Sequence, residues 1–211
     1  MSSRHLDEVV TRQRAAALAG HTGDDASARK FLSDPDATVR ATALGALNRL
    51  NSLTKSELIA ATHDENSIVR RRACTESTSW NGAVNESIDA DVAAAIAWLL
   101  DDSDDSVIEI AAWACGERPP AASSTIERLC SIATAHEDAL CRESAVAALG
   151  ALSDPAGLNS ILVATKDKAT VRRRALIALA PFEGPEVDAA LERGRSDRDW
   201  QVRQAAEDLS P

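Results

Sequence analysis

The sequence predicts an all-α fold, a right-handed α-α superhelix of about seven stacked helix pairs running through residues 1–211 as one domain. Three observations point there. Roughly a fifth of the 211 residues are alanine, aromatics make up 3% and tyrosine is absent, a composition that favours closely packed helices over sheet. A short apolar frame at helical spacing recurs along the whole chain. An acidic turn, of the kind that starts a helix, precedes each clear copy. With 45% hydrophobic residues the chain is also too apolar to stay disordered.

The frame opens weakly at Thr11-Arg12, with Ala15, Leu18, Ala19 and Gly20 behind it. It is clear at Val39-Arg40-x-x-Ala43-x-x-Ala46-Leu47 and returns from Val69-Arg70, Val107-Ile108, Cys141-Arg142, Val171-Arg172 and Val202-Arg203. Apolar residues at 0, +4, +7, +8 and +11 from each anchor trace one stripe of an α-helix. Ahead of these helices stand Asp34-Pro35-Asp36, Asp64-Glu65-Asn66, Asp102-Ser103-Asp104 and Asp197-Arg198-Asp199. Before each turn lies a shorter helical segment with its own start signal. Thr54 with Glu57 and Ser124 with Glu127 read as capping boxes, and Pro155 and Pro185 read as first helical residues. Each unit of about 30 residues is therefore a helix pair that buries its stripe only by stacking on the next. The segment Glu76 to Asp89 is longer than its counterparts and predicts an extended loop.

The turn Asp-x-Asp-x-x-Val-Arg followed by x-x-Ala-x-x-Ala-Leu-Gly resembles the HEAT repeat, most closely its short phycobilisome-lyase-type form. The resemblance spans almost the whole chain and departs from the pattern at Ile108, where it would have arginine. It implies an armadillo-like helical solenoid. The family holds scaffolds and adaptors, bilin-lyase-type subunits that bind a conjugated ligand, and alkylpurine DNA glycosylases, so it implies an enzyme as the alternative to a scaffold. Iron-binding HEAT-repeat hydroxylases use several His-Glu pairs; this chain has one, His136-Glu137.

Charge narrows the partners. The formal net charge is −10. Residues 1–80 carry 11 basic and 10 acidic side chains and residues 141–211 carry 10 and 11, so the excess falls in residues 81–140, with 2 against 12. That balance argues against nucleic acid, which needs clustered Lys and Arg. It suits a partner with basic groups. The longest uncharged apolar run, Val92–Leu100, is half the length of a membrane span. No signal peptide is visible behind Met1, and the expectation is a cytoplasmic chain. Its polar final segment (Glu207, Asp208, Ser210) suits a cap and a monomer.

No cofactor, metal or catalytic constellation is expected. Phosphate loops, dinucleotide fingerprints and Gly-x-Ser-x-Gly are missing from the sequence. Cys74, Cys115, Cys130 and Cys141 form no CxxC and read as free thiols inside helices. His21, His63 and His136 read as solvent-exposed, and His5 with them. The recurring Arg12, Arg40, Arg70, Arg142, Arg172 and Arg203 read as a structural ladder, each guanidinium reaching a carboxylate or carbonyl of a neighbouring turn.

In HEAT-like stacks the second helix of each pair lines the concave face. Positions +2, +6 and +9 point away from the apolar stripe at 100° per residue and are expected to floor that face. Most of them are small, including Gly20, Gly116 and Gly150 at +9. Among them stand Trp113, Glu109, Glu143, Arg71, Arg173 and Ile177. A tryptophan amid small residues and two carboxylates predicts a groove for a protein or peptide with apolar and basic groups. Trp80 and Trp98 read as core, and Trp200 as part of the closing cap.

Overall fold

The structure is a computed structural model that describes residues 3–82 and 89–209. All regular structure among them is helical. Of the expected long loop from Glu76 to Asp89, the first four residues, 76–79, are helical instead, and residues 83–88 lie outside the described residues. The chain divides into two compact units, Met1–Leu99 and Leu100–Pro211.

The first unit begins with α1 (Ser3–Thr22) and continues through two helix pairs, α2 (Asp25–Lys30) with α3 (Ala37–Arg49) and α4 (Lys55–Thr62) with α5 (Ser67–Ser79), to α6 (Ala90–Trp98). Helix starts follow the acidic turns. Asp24, Asp36, Asn66 and Asp89 each accept backbone N–H bonds from the first turn of the helix they precede, which satisfies donors a helix cannot pair internally. Thr54 and Glu57 close a reciprocal capping box on α4. The stripe positions Val39, Ala43, Ala46, Leu47, Val69 and Ala73 are buried, as are Leu44 beside them on α3 and Leu58 of α4. Each Leu so buried stabilises the unit by about 1.5–3 kcal/mol.

The second unit begins with α7 (Asp105–Glu117) and adds three pairs: α8 (Ser123–Ala135) with α9 (Ala139–Leu152), α10 (Leu158–Ala164) with α11 (Ala169–Ala178), and α12 (Pro185–Arg195) with α13 (Trp200–Asp208). Pro155 opens a short 3-10 turn ahead of α10 and Pro185 opens α12. Helix α8 starts differently from the sequence expectation. Its N-cap is Ala122 and makes no side-chain cap bond, so Ser124 lies inside the first turn, Glu127 lies beyond it, and the two form no capping box. Leu129, Ile132, Leu149, Ile161, Leu176 and Leu179 make the core.

Second helices stack side by side, α1 on α3 and α3 on α5 in the first unit, and α7 on α9, α9 on α11 and α11 on α13 in the second. Their closest approach explains the glycines at +9. A Cβ on Gly20 would lie 2.7 Å from Cβ of Ala46, one on Gly116 2.8 Å from Cα of Ala148, and one on Gly150 2.7 Å from Cα of Ala178. These glycines are buried in a seam against the +7 alanine of the next repeat. They do not floor an open face, which corrects the sequence reading. At one junction the pair changes together: Asn48 stands at +9 and Glu76 at +7, with Asn48 Nδ2 donating to Glu76 Oε2 at 2.5 Å. Arg72 pairs with the other Glu76 oxygen at 2.6 Å and occupies the space a Cβ on Gly45 would need.

The tryptophans divide. Trp80 is buried and donates its indole N–H to the Leu53 carbonyl at 2.8 Å. Trp98, expected in the core, is 57% exposed and tilts against the ring of His63, 4.8 Å between centroids. It lies at the last position of α6, where the apolar pattern around it reflects helix neighbours and not its own burial. Trp200 is 64% exposed at the start of α13.

Candidate functional site

The acidic turns and the arginines behind them form a regular scaffold. Arg40 donates Nε and Nη2 to the Asp64 carboxylate at 2.8 and 2.7 Å, and Nη1 to the carbonyls of Asp34 and Pro35 in its own turn. Arg142 does the same with Asp167 at 2.6 and 2.8 Å and with the carbonyls of His136 and Glu137. Arg172 repeats it with Asp197 at 2.8 and 2.7 Å and the carbonyl of Asp167. Arg12 reaches Asp34 at 2.8 Å. Arg70 and Arg203 each hold the two carbonyls of their own turn, at Asp64 and Glu65 and at Asp197 and Arg198. Arg40, Arg142 and Arg172 thus each tie two turns together, and the planar fork matches the carboxylate.

The electrostatics follow the geometry. Hydrogen bonds from Arg142 and Arg172 hold the Asp167 and Asp197 carboxyls below the usual range, against the opposing effect of burial. At Asp64 and Asp34 burial is the largest influence and pushes upward, but Arg40 and Arg12, with backbone N–H donors, outweigh it and hold both carboxyls low. These charges are committed to the scaffold and are not free for a ligand.

The residues at +2 and +6 of the second unit remain open. Glu109 and Trp113 lie one turn apart on α7 and are half-buried, so they share a face. Ser144 of α9 donates to the Glu109 carbonyl at 2.7 Å, which puts Glu143 and Ala147 of α9 beside that face. Glu143 is half-buried and its carboxylate is 3.6 Å from Arg174 of α11. Next along α11 come the exposed Arg173 and Ile177, the latter 38% accessible. Five of the six singled-out residues therefore lie on adjacent second helices of one unit. Arg71, also exposed, lies on α5 in the other.

Sequence reasoning missed one feature of this unit. His136, read as exposed, has a side chain only 16% accessible. Its Nδ1 accepts the Asp138 N–H at 3.1 Å and its Nε2 is 3.8 Å from the Asp105 carboxylate. It borders a cavity of about 360 Å³ lined by Asp105, Arg128, Ser131, Ile132, Ala135 and Glu137. The signal was present as a gap in the frame, with histidine where the other turns have aspartate. Among the described residues no group of three or more His, Cys, Asp or Glu side chains converges in a way that could hold a metal ion. No helix among them is long and apolar enough to cross a membrane. All four cysteines are free thiols; Cys74 and Cys141 are buried, Cys115 and Cys130 partly so.

Stacked helix pairs with a shared seam define the α-solenoid class. The model of HEAT repeats matches residues 56–150 and 126–210, and the chain belongs to that family. Among solved structures it is similar to an engineered protein, with TM-score 0.62 and 18% identity over 88% of this chain and 94% of that one. It is similar to the Escherichia coli protein YibA, with TM-score 0.62 and 16% identity over 98% of this chain and 74% of that one. A designed armadillo repeat protein, solved in complex with a (KR)4 peptide, matches with TM-score 0.59 and 17% identity over 86% of this chain and 96% of that one. At these identities the likeness is one of fold. No curated protein matches.

Proposed function

We propose that this chain is a non-catalytic scaffold that holds a protein or peptide against the open face of α7, α9 and α11. The observation that carries the reading is the half-buried Trp113, set one turn beyond Glu109, with the small Ala147 on the next helix and Glu143 beside it. A large ring with a partly accessible face, bordered by small residues, offers an apolar anchor. The two carboxylates select a partner that places Lys or Arg beside its apolar group, and Ile177 extends the apolar row. Arg173, at the far edge, suits an acidic group on the same partner. The excess of acid in residues 81–140 favours the same choice, and a designed armadillo neighbour takes a (KR)4 peptide.

The test is a pull-down with mass-spectrometric readout, wild type beside Trp113→Ala and beside Glu109→Gln/Glu143→Gln, with thermal unfolding run on each. The reading expects a specific partner that the wild type captures, that both variants lose, and whose capture weakens as salt rises. The carboxylate pair supplies the decisive comparison, because its neutral amides keep shape and leave the core untouched. Capture of the same partner undiminished by both variants would place the binding surface elsewhere.

A further inference from the structure

One rung of the arginine ladder is replaced on both sides. Ile108, 5% accessible, stands where arginine stands at 12, 40, 70, 142, 172 and 203. The turn it would have bridged to carries His136 where the other turns carry Asp34, Asp64, Asp102, Asp167 and Asp197. The imidazole has nevertheless kept one of the carboxylate's tasks. Asp34, Asp64, Asp102 and Asp197 each accept, through Oδ1, the N–H of the residue two further on, at 2.9, 2.9, 2.9 and 2.8 Å. His136 accepts the Asp138 N–H in the same place through Nδ1, at 3.1 Å.

The substitution changes how the turn responds to protons. A neutral imidazole has one lone pair and one N–H. With the Nδ1 lone pair holding Asp138, the proton is on Nε2, facing Asp105 of α7 across 3.8 Å. A second proton has only Nδ1 to occupy, and there it meets the Asp138 N–H donor to donor. The bond that closes the turn is then lost. The imidazolium has room to turn in the 360 Å³ cavity at its side, and the carboxylates of Asp105 and Glu137 border that cavity. Arg128 of α8 also borders it, but its guanidinium is held by Asp101 and the Leu100 carbonyl. Arg142 of α9 is engaged with Asp167 and with the His136 and Glu137 carbonyls. Asp138 itself caps α9 by accepting the Leu140 N–H at 2.7 Å, so the turn is bonded directly to the start of α9.

We propose that the turn at His136–Asp138 is a proton-operated joint in the second unit, closed while the imidazole is neutral and released when it is charged. Histidine alone among unperturbed side chains changes charge between about pH 5 and 8; Asp34, Asp64, Asp167 and Asp197, held below the usual carboxylate range, stay ionised throughout it. The joint is a property of the turn and does not depend on what the open face of α7 and α9 binds.

The experiment is an NMR titration of the full ¹⁵N-labelled chain from pH 8 to 5.5, following the His136 ring, the Asp138 amide and its protection against hydrogen exchange. The amides of Asp36, Asn66, Asp104 and Asp199 are the references within the same molecule. The expected result is that the Asp138 amide titrates with the midpoint of the His136 ring and loses protection at least tenfold while the references hold. His136→Asn, whose amide oxygen accepts the same bond without titrating, keeps Asp138 protected across the range. An Asp138 amide that stays protected in the wild type through the titration of the ring overturns the proposal, as does an unchanged titration in His136→Asn. The comparison inside the wild type stands even if that variant folds poorly.

Discussion

Arg142 grips Asp167 side-on, Nε to Oδ2 at 2.6 Å and Nη2 to Oδ1 at 2.8 Å, across 25 residues of chain. The same guanidinium holds two carbonyls of the turn before its own helix. Both side chains are mostly shielded from water, at 11% and 20% accessible. Removing one partner of such a pair leaves the other charge poorly solvated, so Arg142→Ala is expected to cost about 3 kcal/mol. Arg142→Lys recovers little of it, because an ammonium cannot span the fork and the two carbonyls together. Urea unfolding followed by circular dichroism measures both; an unchanged midpoint for the alanine variant would contradict the ladder's structural role.

The ladder also sets the response to acid. Asp34, Asp64, Asp167 and Asp197 have folded-state values below the usual carboxylate range, whereas in the unfolded chain they titrate near pH ~3.9. The folded state therefore binds fewer protons than the unfolded one as the pH falls through that window. The stabilisation is complete above the unfolded values and is lost as pH drops through the folded ones. Urea midpoints measured between pH 5 and 2.5 are expected to fall steeply below about pH 4. In Arg142→Ala the fall should be shallower, since Asp167 no longer contributes.

The seam glycines give a prediction whose sign discriminates. In an ordinary helix interior Gly→Ala stabilises by about 1 kcal/mol. At Gly150 the new methyl would meet the Cα of Ala178, which is backbone and cannot turn aside. Gly150→Ala is expected to destabilise by about 2 kcal/mol, in the range of overpacked cores, and Gly116→Ala to do the same. A raised melting temperature for either would show that the helices are not in contact there.

Thiol reactivity offers a check that needs no mutation. Burial pushes the Cys115 thiol up to about 12. Burial and then the charges of Asp138, Asp105 and Glu109 push Cys141 up to about 11. Both should resist iodoacetamide at pH 8 in the native chain and react in urea, read by peptide mass spectrometry. Labelling of either in the native state at the rate of the unfolded chain would put it outside the core.

The repeat frame made much of this legible in advance. Helix stripes such as Val39, Ala43 and Leu47 repeat with a period that sequence alone reveals, and the Asp–Arg spacing already joined neighbouring turns. Periodicity fixes which way a residue points but not how close the next helix comes. That is why Gly116 and Gly150 looked like open floor until the approach of Ala148 and Ala178 was seen. Trp98 misled for a related reason: its neighbours Val92 and Ile96 are buried, yet as the last residue of its helix it extends past what they pack against. At the open face the sequence picked out Trp113 and Glu109 by their contrast with small neighbours. It had no means of showing that His136 had taken over a carboxylate's hydrogen bond.

The Asn48–Glu76 contact gives the order of the repeats a chemical meaning. Where glycine meets alanine, one repeat's edge is much like another's and a shuffled neighbour would still fit. A repeat bearing Glu76 is different. Placed behind a glycine edge, its carboxylate would lose the amide that donates to it; behind Asn48 it is satisfied. Placed against an alanine, Asn48 would in turn have no acceptor. The two residues act as a matched address at a single junction, so a chain assembled from the same repeats in another sequence would be marked as wrong at that point.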